Sequence, residues 1–179
     1  MRLRRVVSRL ESDDFELFGL PRRFAIDRSE LDARRRALQS EVHPDRFAAA
    51  DSGSARIAMQ WAVRVNEAYA RLGDPLRRAA YLCELAQVPI EAEDNTAMPA
   101  EFLMQQLTWR ESLDEASSRN SLESLARDVD ARRTAAYERL GRHLDERCDF
   151  GAAAHEVRAL MFVERFAADV DERLAALGG

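Results

Sequence analysis

The turn His43-Pro44-Asp45 contains the residues whose types and spacing are best suited to chemistry in this chain. An imidazole and a carboxylate two residues apart could exchange a proton, as an acid–base pair does in an enzyme. Pro44 fixes one backbone dihedral angle and lacks an N–H group, so the turn is stiff. A stiff turn could instead present both side chains to a partner protein at low entropic cost, with Asp45 accepting hydrogen bonds from an arginine. The third interpretation is an ordinary turn in which His43 caps the preceding helix.

Other candidate chemistry has little support in the sequence. The histidines and cysteines show no spacing typical of metal ligands, and no serine or cysteine lies in a recognisable nucleophile elbow. No third group is evident that would complete a catalytic site with His43 and Asp45. We therefore predict no enzyme activity, no cofactor and no metal site. Cys83 and Cys148 form no CxxC motif, which favours free thiols in a reducing cytoplasm over a disulfide.

The composition favours a helical globular protein. The 179 residues include only 7 Gly and 5 Pro, and 46% hydrophobic residues are sufficient for a packed core. With a net charge of -5 and no basic face, the chain is a poor candidate for binding nucleic acid. No apolar run is long enough to span a membrane. Residues 1–12 are expected to be a basic tail, because Met1 to Leu10 lacks the apolar centre of a signal peptide.

The first half of the chain predicts a short helix followed by a helical hairpin. Helical turns over Asp14 to Leu20 are stopped by Gly and Pro, and Asp27 with Glu30 resembles a capping box that opens a helix. Pro44 ends that helix. A second helix spans about 55–72, and a shorter one covers 76–87. The apolar faces are expected to hold Leu31, Leu38 and Val42 on one helix and Trp61, Val65, Ala68 and Leu72 on the next.

After an acidic, irregular linker at 89–98, the sequence predicts an antiparallel three-helix bundle over 99–179. Its helices cover about 100–117, 122–145 and 152–177, with turns at Ser118 to Asn120 and at Phe150-Gly151. The fold class is therefore all-α with two domains. The inward stripes are expected to comprise Phe102, Trp109, Leu113 and Ala116 on the first helix, and Leu160, Val163, Phe166, Val170, Leu174 and Leu177 on the last.

The bundle helices carry more apolar side chains than one inward face can use. On a helical wheel Leu103, Met104 and Leu107 lie away from the stripe of Phe102, together with Glu111, and Phe162 lies off the stripe of the last helix. A contiguous exposed apolar patch often marks a binding site for a partner. The alternative is that this face packs on the N-terminal domain.

Arginines cluster on the helix that precedes the His-Pro-Asp turn. Arg34, Arg35 and Arg36, with Arg28 and Arg46, could form a basic face for an acidic partner. The alternative is a solvated helix face. Arg35 projects near the Leu31 to Leu38 stripe, so its stem is expected to lie along the edge of the core.

Four segments of the first half resemble a J-domain, and a fifth segment resembles the start of the C-terminal domain of the HscB family, the J-protein co-chaperones of iron–sulfur cluster assembly. The J-domain segments are Phe15 to Leu20, His43 to Phe47, Val65 to Tyr69 and Asp74 to Leu82. The more specific segment is Glu101 to Leu107 with its continuation through Arg110 to Glu115. The resemblance covers about residues 13–179 and places the J-domain, with its following short helix, at 13–88.

This resemblance implies docking on a chaperone ATPase of the HscA/DnaK class and stimulation of its ATP hydrolysis. His43, Pro44 and Asp45 would carry the stimulation, and Arg34, Arg35, Arg36 and Arg46 would supply complementary charge. The bundle would bind an IscU-like iron–sulfur scaffold protein through Leu103, Met104, Leu107, Glu111 and Phe162.

The sequence departs from the family pattern at several positions. Gln105 and Thr108 stand where some members carry Glu, and Arg35 occupies a position where J-domains often have an aromatic residue. A general J-protein that delivers unfolded clients is the rival interpretation, but the Gly/Phe-rich or Cys-rich segments typical of that class are missing.

Overall fold

The computed structural model describes residues 11–41, 52–90 and 99–177 of the protein. Within these ranges the secondary structure consists of seven α-helices and one π-helical turn. No strand occurs in those three ranges, so the all-α prediction is confirmed for them. The elements are α1 (Asp14–Phe18), α2 (Arg28–Glu41), α3 (Ser52–Gly73), α4 (Pro75–Leu85), α5 (Ala100–Glu115), α6 (Arg119–Gly141), the π-helical turn (Arg142–Glu146) and α7 (Phe150–Ala176).

The chain divides into two compact units, Met1–Tyr81 and Leu82–Gly179. The division falls within α4. The sequence places the domain linker later, at 89–98, but residues 91–98 lie outside the described residues, so that linker stays a prediction.

Aspartate side chains accept hydrogen bonds at the starts of α1 and α2 in the N-terminal unit. The Asp13 carboxylate accepts a hydrogen bond from the Glu16 N–H at 2.9 Å, and α1 ends at Gly19, whose φ of 64° lies in the left-handed region that glycine tolerates. Asp27 accepts from both the N–H and the hydroxyl of Ser29, and these bonds lower the pKa of its carboxyl group. In a capping box the side chain three residues after the cap bonds back to the N–H of the capping residue. Only the Asp27 half of the predicted box is present, because the Glu30 carboxylate pairs with Arg34 at 3.1 Å.

Helices α2 and α3 form the predicted antiparallel hairpin. Leu31 and Leu38 on α2 are buried, while Val42 lies outside the described residues. The Trp61 indole N–H donates to the Leu38 carbonyl at 3.1 Å, so this aromatic residue both fills the core and joins the two helices. The buried stripe of α3 is the predicted one: Trp61, Val65, Ala68 and Leu72.

A buried carboxylate joins α1 to α3. Asp14 has no exposed surface, and its oxygens lie 2.6 Å from Arg64 Nη1 and 3.2 Å from Arg71 Nη1. Its backbone N–H donates to the Tyr81 hydroxyl at 3.1 Å. Burial raises the pKa of Tyr81. Because a buried charge is tolerated only when it is paired, the two arginines allow Asp14 to occupy this position.

The C-terminal unit is the predicted three-helix bundle. Helices α6 and α7 are antiparallel: Tyr137 donates to Glu164 at 2.7 Å, and Arg139 contacts Glu156 at 2.6 Å. Trp109 of α5 stacks on Phe166 of α7 with their ring centroids 5.4 Å apart. The buried cluster contains Phe102, Trp109, Leu125, Val129, Val163, Phe166 and Val170.

The helix boundaries in the bundle differ from the prediction in three places. Ser118 caps α6 through Ser121, so α6 begins at Arg119, within the predicted turn. The end of the second bundle helix winds as a π-helical turn, in which the Arg147 N–H donates to the Arg142 carbonyl at 3.0 Å. The predicted turn at Phe150-Gly151 is wrong, because Asp149 accepts from the Ala152 N–H at 3.0 Å and caps a helix that those two residues open.

Of the ten predicted stripe residues in the bundle, seven are buried, two are half-buried and one is exposed. Leu113 and Leu174 are half-buried at the margin of the cluster. Leu177 is 51% exposed, which corrects its assignment to the core. It immediately follows Ala176, the last residue of α7.

Candidate functional site: two docking surfaces

The candidate chaperone-docking face comprises the His-Pro-Asp turn and the arginines of α2. His43, Pro44, Asp45 and Arg46 lie outside the described residues, so their proposed role stays a prediction. The structure does describe the helix that leads into this turn.

The three consecutive arginines of α2 have different surroundings. Arg34 is exposed and pairs with Glu30 at 3.1 Å, an (i, i+4) contact along the same helix. Arg36 is exposed. Arg35 is half-buried, with its guanidinium carbon 4.2 Å from the ring centroid of Tyr69 on α3. The expected position of Arg35 at the edge of the core is confirmed.

Tyr69 on α3 is hydrogen-bonded to two residues of α2, which the sequence pattern does not predict. Its hydroxyl donates to Asp32 at 2.7 Å and accepts from Arg28 at 2.6 Å. Arg28 also donates to the Gly73 carbonyl at 3.1 Å, and Arg35 donates to Asn66 Oδ1 at 3.3 Å. The Arg28 and Arg35 guanidiniums are therefore engaged within this unit, while Arg36 projects outward.

The docking patch consists of five residues of the C-terminal unit: Leu103, Met104, Leu107, Glu111 and Phe162. Its first three side chains are respectively 37%, 62% and 54% exposed. By contrast, Phe102 and Trp109 on the same helix are 4% and 5% exposed. These values put the second face outside the core of the bundle, and its role in binding a partner stays a prediction.

Phe162 differs from the other members of the docking patch because it is half-buried. Its ring meets Phe102 edge-to-face at 5.8 Å and stacks on Phe166 at 6.0 Å. The guanidinium carbon of Arg110 lies 5.9 Å from its centroid. Phe162 therefore packs against the buried aromatic cluster and keeps part of its ring exposed.

Two polar residues beside the patch on α5, Gln105 and Thr108, are uncharged. The Thr108 hydroxyl donates back to the Met104 carbonyl at 3.1 Å, so it is occupied within the helix. Gln105 is neutral and half-buried. Glu111 is exposed and lies four residues after Leu107, which puts its carboxylate on the same side of α5.

Within 11–41, 52–90 and 99–177, no group of three or more His, Cys, Asp or Glu side chains could hold a metal ion. Cys83 is buried, its thiol lies 3.8 Å from the Phe150 carbonyl oxygen, and burial raises its pKa to about 11. Cys148 is an exposed free thiol.

No helix in the described ranges has the length and apolar character needed to cross a membrane.

Comparison with known proteins agrees with the resemblance. The family model described as "HSCB C-terminal oligomerisation domain" matches residues 98–171. The co-chaperone protein HscB homolog of Burkholderia multivorans is 52% identical over 171 residues, which are 94% of this chain and 97% of that protein.

Two solved structures match most of the chain. Chaperone HscB from Vibrio cholerae has a TM-score of 0.82 at 34% identity, covering 93% of this chain and 99% of that one. Human co-chaperone protein HscB has a TM-score of 0.81 at 28% identity, covering 94% of this chain and 83% of that one. These relatives are described as chaperones or co-chaperones, not as enzymes. The chain belongs to the HscB family of co-chaperones.

Proposed function

We propose that this protein stimulates the ATPase of an Hsp70-class chaperone of the HscA/DnaK type and delivers an IscU-like iron–sulfur scaffold protein to it. The chain would act by binding two proteins at once and would assist the maturation of iron–sulfur proteins. His43, Pro44 and Asp45 would carry the stimulation, with Arg36 and its neighbours on α2 and Arg46 supplying positive charge.

The observation that carries this proposal is the exposed docking patch on the bundle of an HscB-family member. Leu103, Met104 and Leu107 lie within one and a half turns of α5 and are all exposed, although apolar residues on the same helix fill the core. Removing such a cluster from water on binding is the main favourable contribution available to a protein–protein contact. A scaffold protein with a complementary apolar surface would supply that burial.

Calorimetric titration of the full chain with the IscU-like scaffold protein tests the patch directly. We expect the double variant Leu103→Ala with Leu107→Ala to weaken binding by roughly 2 kcal/mol or more, since each lost contact of this kind costs about 1 kcal/mol or more. The melting temperature should change little because both side chains are exposed.

Leu177→Ala is the matched control, because Leu177 is exposed to a similar degree and lies at the far end of the last helix. It should leave the dissociation constant unchanged. A double variant that melts at a clearly lower temperature yet binds as the wild type does would show that the patch is structural.

A further inference from the structure

Trp61 bonds to the end of α2, the helix from which the chain continues into the His-Pro-Asp turn. Its indole N–H donates to the Leu38 carbonyl at 3.1 Å, and the contact is buried. Leu38 lies three residues before Glu41, the last residue of α2. Its carbonyl is therefore one of the last four in the helix, which the N–H groups of the helix itself do not reach. Trp61 supplies a donor for this carbonyl from α3.

The indole ring does more than fill space between the two helices. Val65, Ala68 and Leu72 complete the same buried stripe of α3 with aliphatic side chains, which pack without direction. The N–H group of Trp61 is a directional donor, because it bonds one particular backbone carbonyl of α2. It therefore fixes where the end of α2 lies along α3.

A second residue of α3 contacts the same part of α2 from the exposed side. Asn66 Oδ1 accepts hydrogen bonds from Arg35 Nη2 at 3.3 Å and from Gln39 Nε2 at 3.4 Å. Asn66 is exposed, whereas Trp61 is 1% exposed. The last two turns of α2 are thus bonded to α3 on both their buried and their exposed sides.

These contacts determine how firmly the helix leading into the turn is held. His43 follows Leu38 by only five residues, and helix ends without tertiary contacts fray. A partner that binds the turn and the arginines of α2 together needs both in one arrangement. Molecules with a frayed helix end do not present that arrangement, so the apparent dissociation constant rises as their fraction grows.

We propose that Trp61, together with Asn66, is a positioning residue for the chaperone contact. The two residues hold the last turns of α2, so that the His-Pro-Asp turn and the arginines of α2 are presented in one arrangement. Trp61 acts through α2, because its buried ring is out of reach of a partner. This inference rests on the proposed function, since it concerns stimulation of the same ATPase.

Three variants of the full chain test the inference. Trp61→Phe keeps an apolar ring in the core and removes the N–H donor. Asn66→Ala removes the exposed contacts without opening the core. Trp109→Phe is the matched control, because Trp109 is also buried, at 5% exposed, but lies in the other unit. Each variant would be titrated into the HscA-class chaperone without scaffold protein, and ATP hydrolysis would be followed until stimulation saturates.

Backbone amide exchange of the free protein gives a second readout. We expect the amides of residues 39–41 to exchange about fivefold faster in Trp61→Phe than in the wild type, because the last turn of α2 loses its contact with the indole. The amides of residues 31–34 should be unchanged. Faster exchange along the whole helix would instead show that Trp61 serves packing alone, which would overturn the inference.

The titrations separate positioning from a general loss of activity. We expect half-maximal stimulation by Trp61→Phe to need about threefold more protein than for the wild type, with the same maximal rate, because only the competent fraction falls. Asn66→Ala should show a shift of about twofold for the same reason. Trp109→Phe should match the wild type.

An unshifted titration for Trp61→Phe, or an equal shift for Trp109→Phe, would overturn the inference and leave the proposed function intact. If Trp61→Phe does not fold, an unshifted titration for Asn66→Ala overturns the inference by itself. Absence of stimulation by the wild type would refute the proposed function, and this inference with it.

Discussion

The two docking surfaces differ in how their side chains relate to the fold beneath them. On the N-terminal unit, Arg28 and Arg35 are bonded to α3, and Arg36 projects outward. On the C-terminal unit, Leu103 and Met104 are apolar and exposed, although Phe102 on the same helix belongs to the packed aromatic cluster. The N-terminal surface would contact its partner through charged side chains on α2, a helix that is hydrogen-bonded to α3. The C-terminal surface would contact its partner through exposed apolar side chains that are not part of the core.

The two units should therefore differ in which surface residues can be substituted without loss of stability. Polar contacts across helices contribute to the stability of the N-terminal unit, so some of its charged residues are structural. The bundle also has polar contacts between α6 and α7, through Tyr137 with Glu164 and Arg139 with Glu156, but none of the exposed apolar side chains of the docking patch belongs to them. Substituting those exposed side chains should therefore change binding without affecting the fold.

Asp14→Ala should destabilise the N-terminal unit by about 3 kcal/mol, because it leaves Arg64 and Arg71 without their buried partner. Urea unfolding of the full chain, followed by helicity, would measure the change. Glu16→Ala is the control, since Glu16 contacts Arg22 in an exposed pair and its loss should cost less than about 1 kcal/mol. Equal effects of the two substitutions would contradict the structural role assigned to the buried cluster.

Phe162→Ala should affect both stability and binding. Its ring packs between Phe102 and Phe166, so we expect a loss of about 2 kcal/mol in the free energy of unfolding together with weaker scaffold binding. Met104→Ala should weaken binding while changing stability by no more than about 0.5 kcal/mol, because Met104 is 62% exposed. If both variants lost stability to the same degree, the exposed part of the patch would have to be core.

Periodicity predicted which helix faces are apolar, and the structure confirms this for Leu31 and Leu38 on α2 and for Phe102 and Trp109 on α5. It also separated Leu103 and Leu107 from the core. Such patterns depend only on the regular advance of the helix, and buried apolar residues follow it closely.

Other features depend on contacts that periodicity does not specify. A long side chain can reach several neighbours, so the sequence did not reveal that Arg110 covers Phe162 or that Tyr69 bonds Arg28 and Asp32. The start of α7 at Phe150 depended on capping by Asp149, which is local polar chemistry rather than apolar patterning.

Arg35→Ala should destabilise the hairpin by about 1 kcal/mol, since it removes the contact with the Tyr69 ring and the hydrogen bond to Asn66. Arg36→Ala should change stability by less than about 0.5 kcal/mol, because Arg36 is exposed. Urea unfolding distinguishes the two variants, and stimulation of the chaperone ATPase should fall for Arg36→Ala despite its normal stability. Loss of stability in Arg36→Ala alone would reverse the roles assigned to these neighbours.

Steady-state ATP hydrolysis by the HscA-class chaperone would show whether this protein couples a chaperone to a scaffold protein. The rate would be measured with the full chain alone, with the full chain plus scaffold, and with Asp45→Ala in place of the wild type. We expect stimulation that rises further with scaffold and is lost in Asp45→Ala, whose helicity and scaffold binding should stay normal. Stimulation that is indifferent to the scaffold, or that survives in Asp45→Ala, would contradict this expectation.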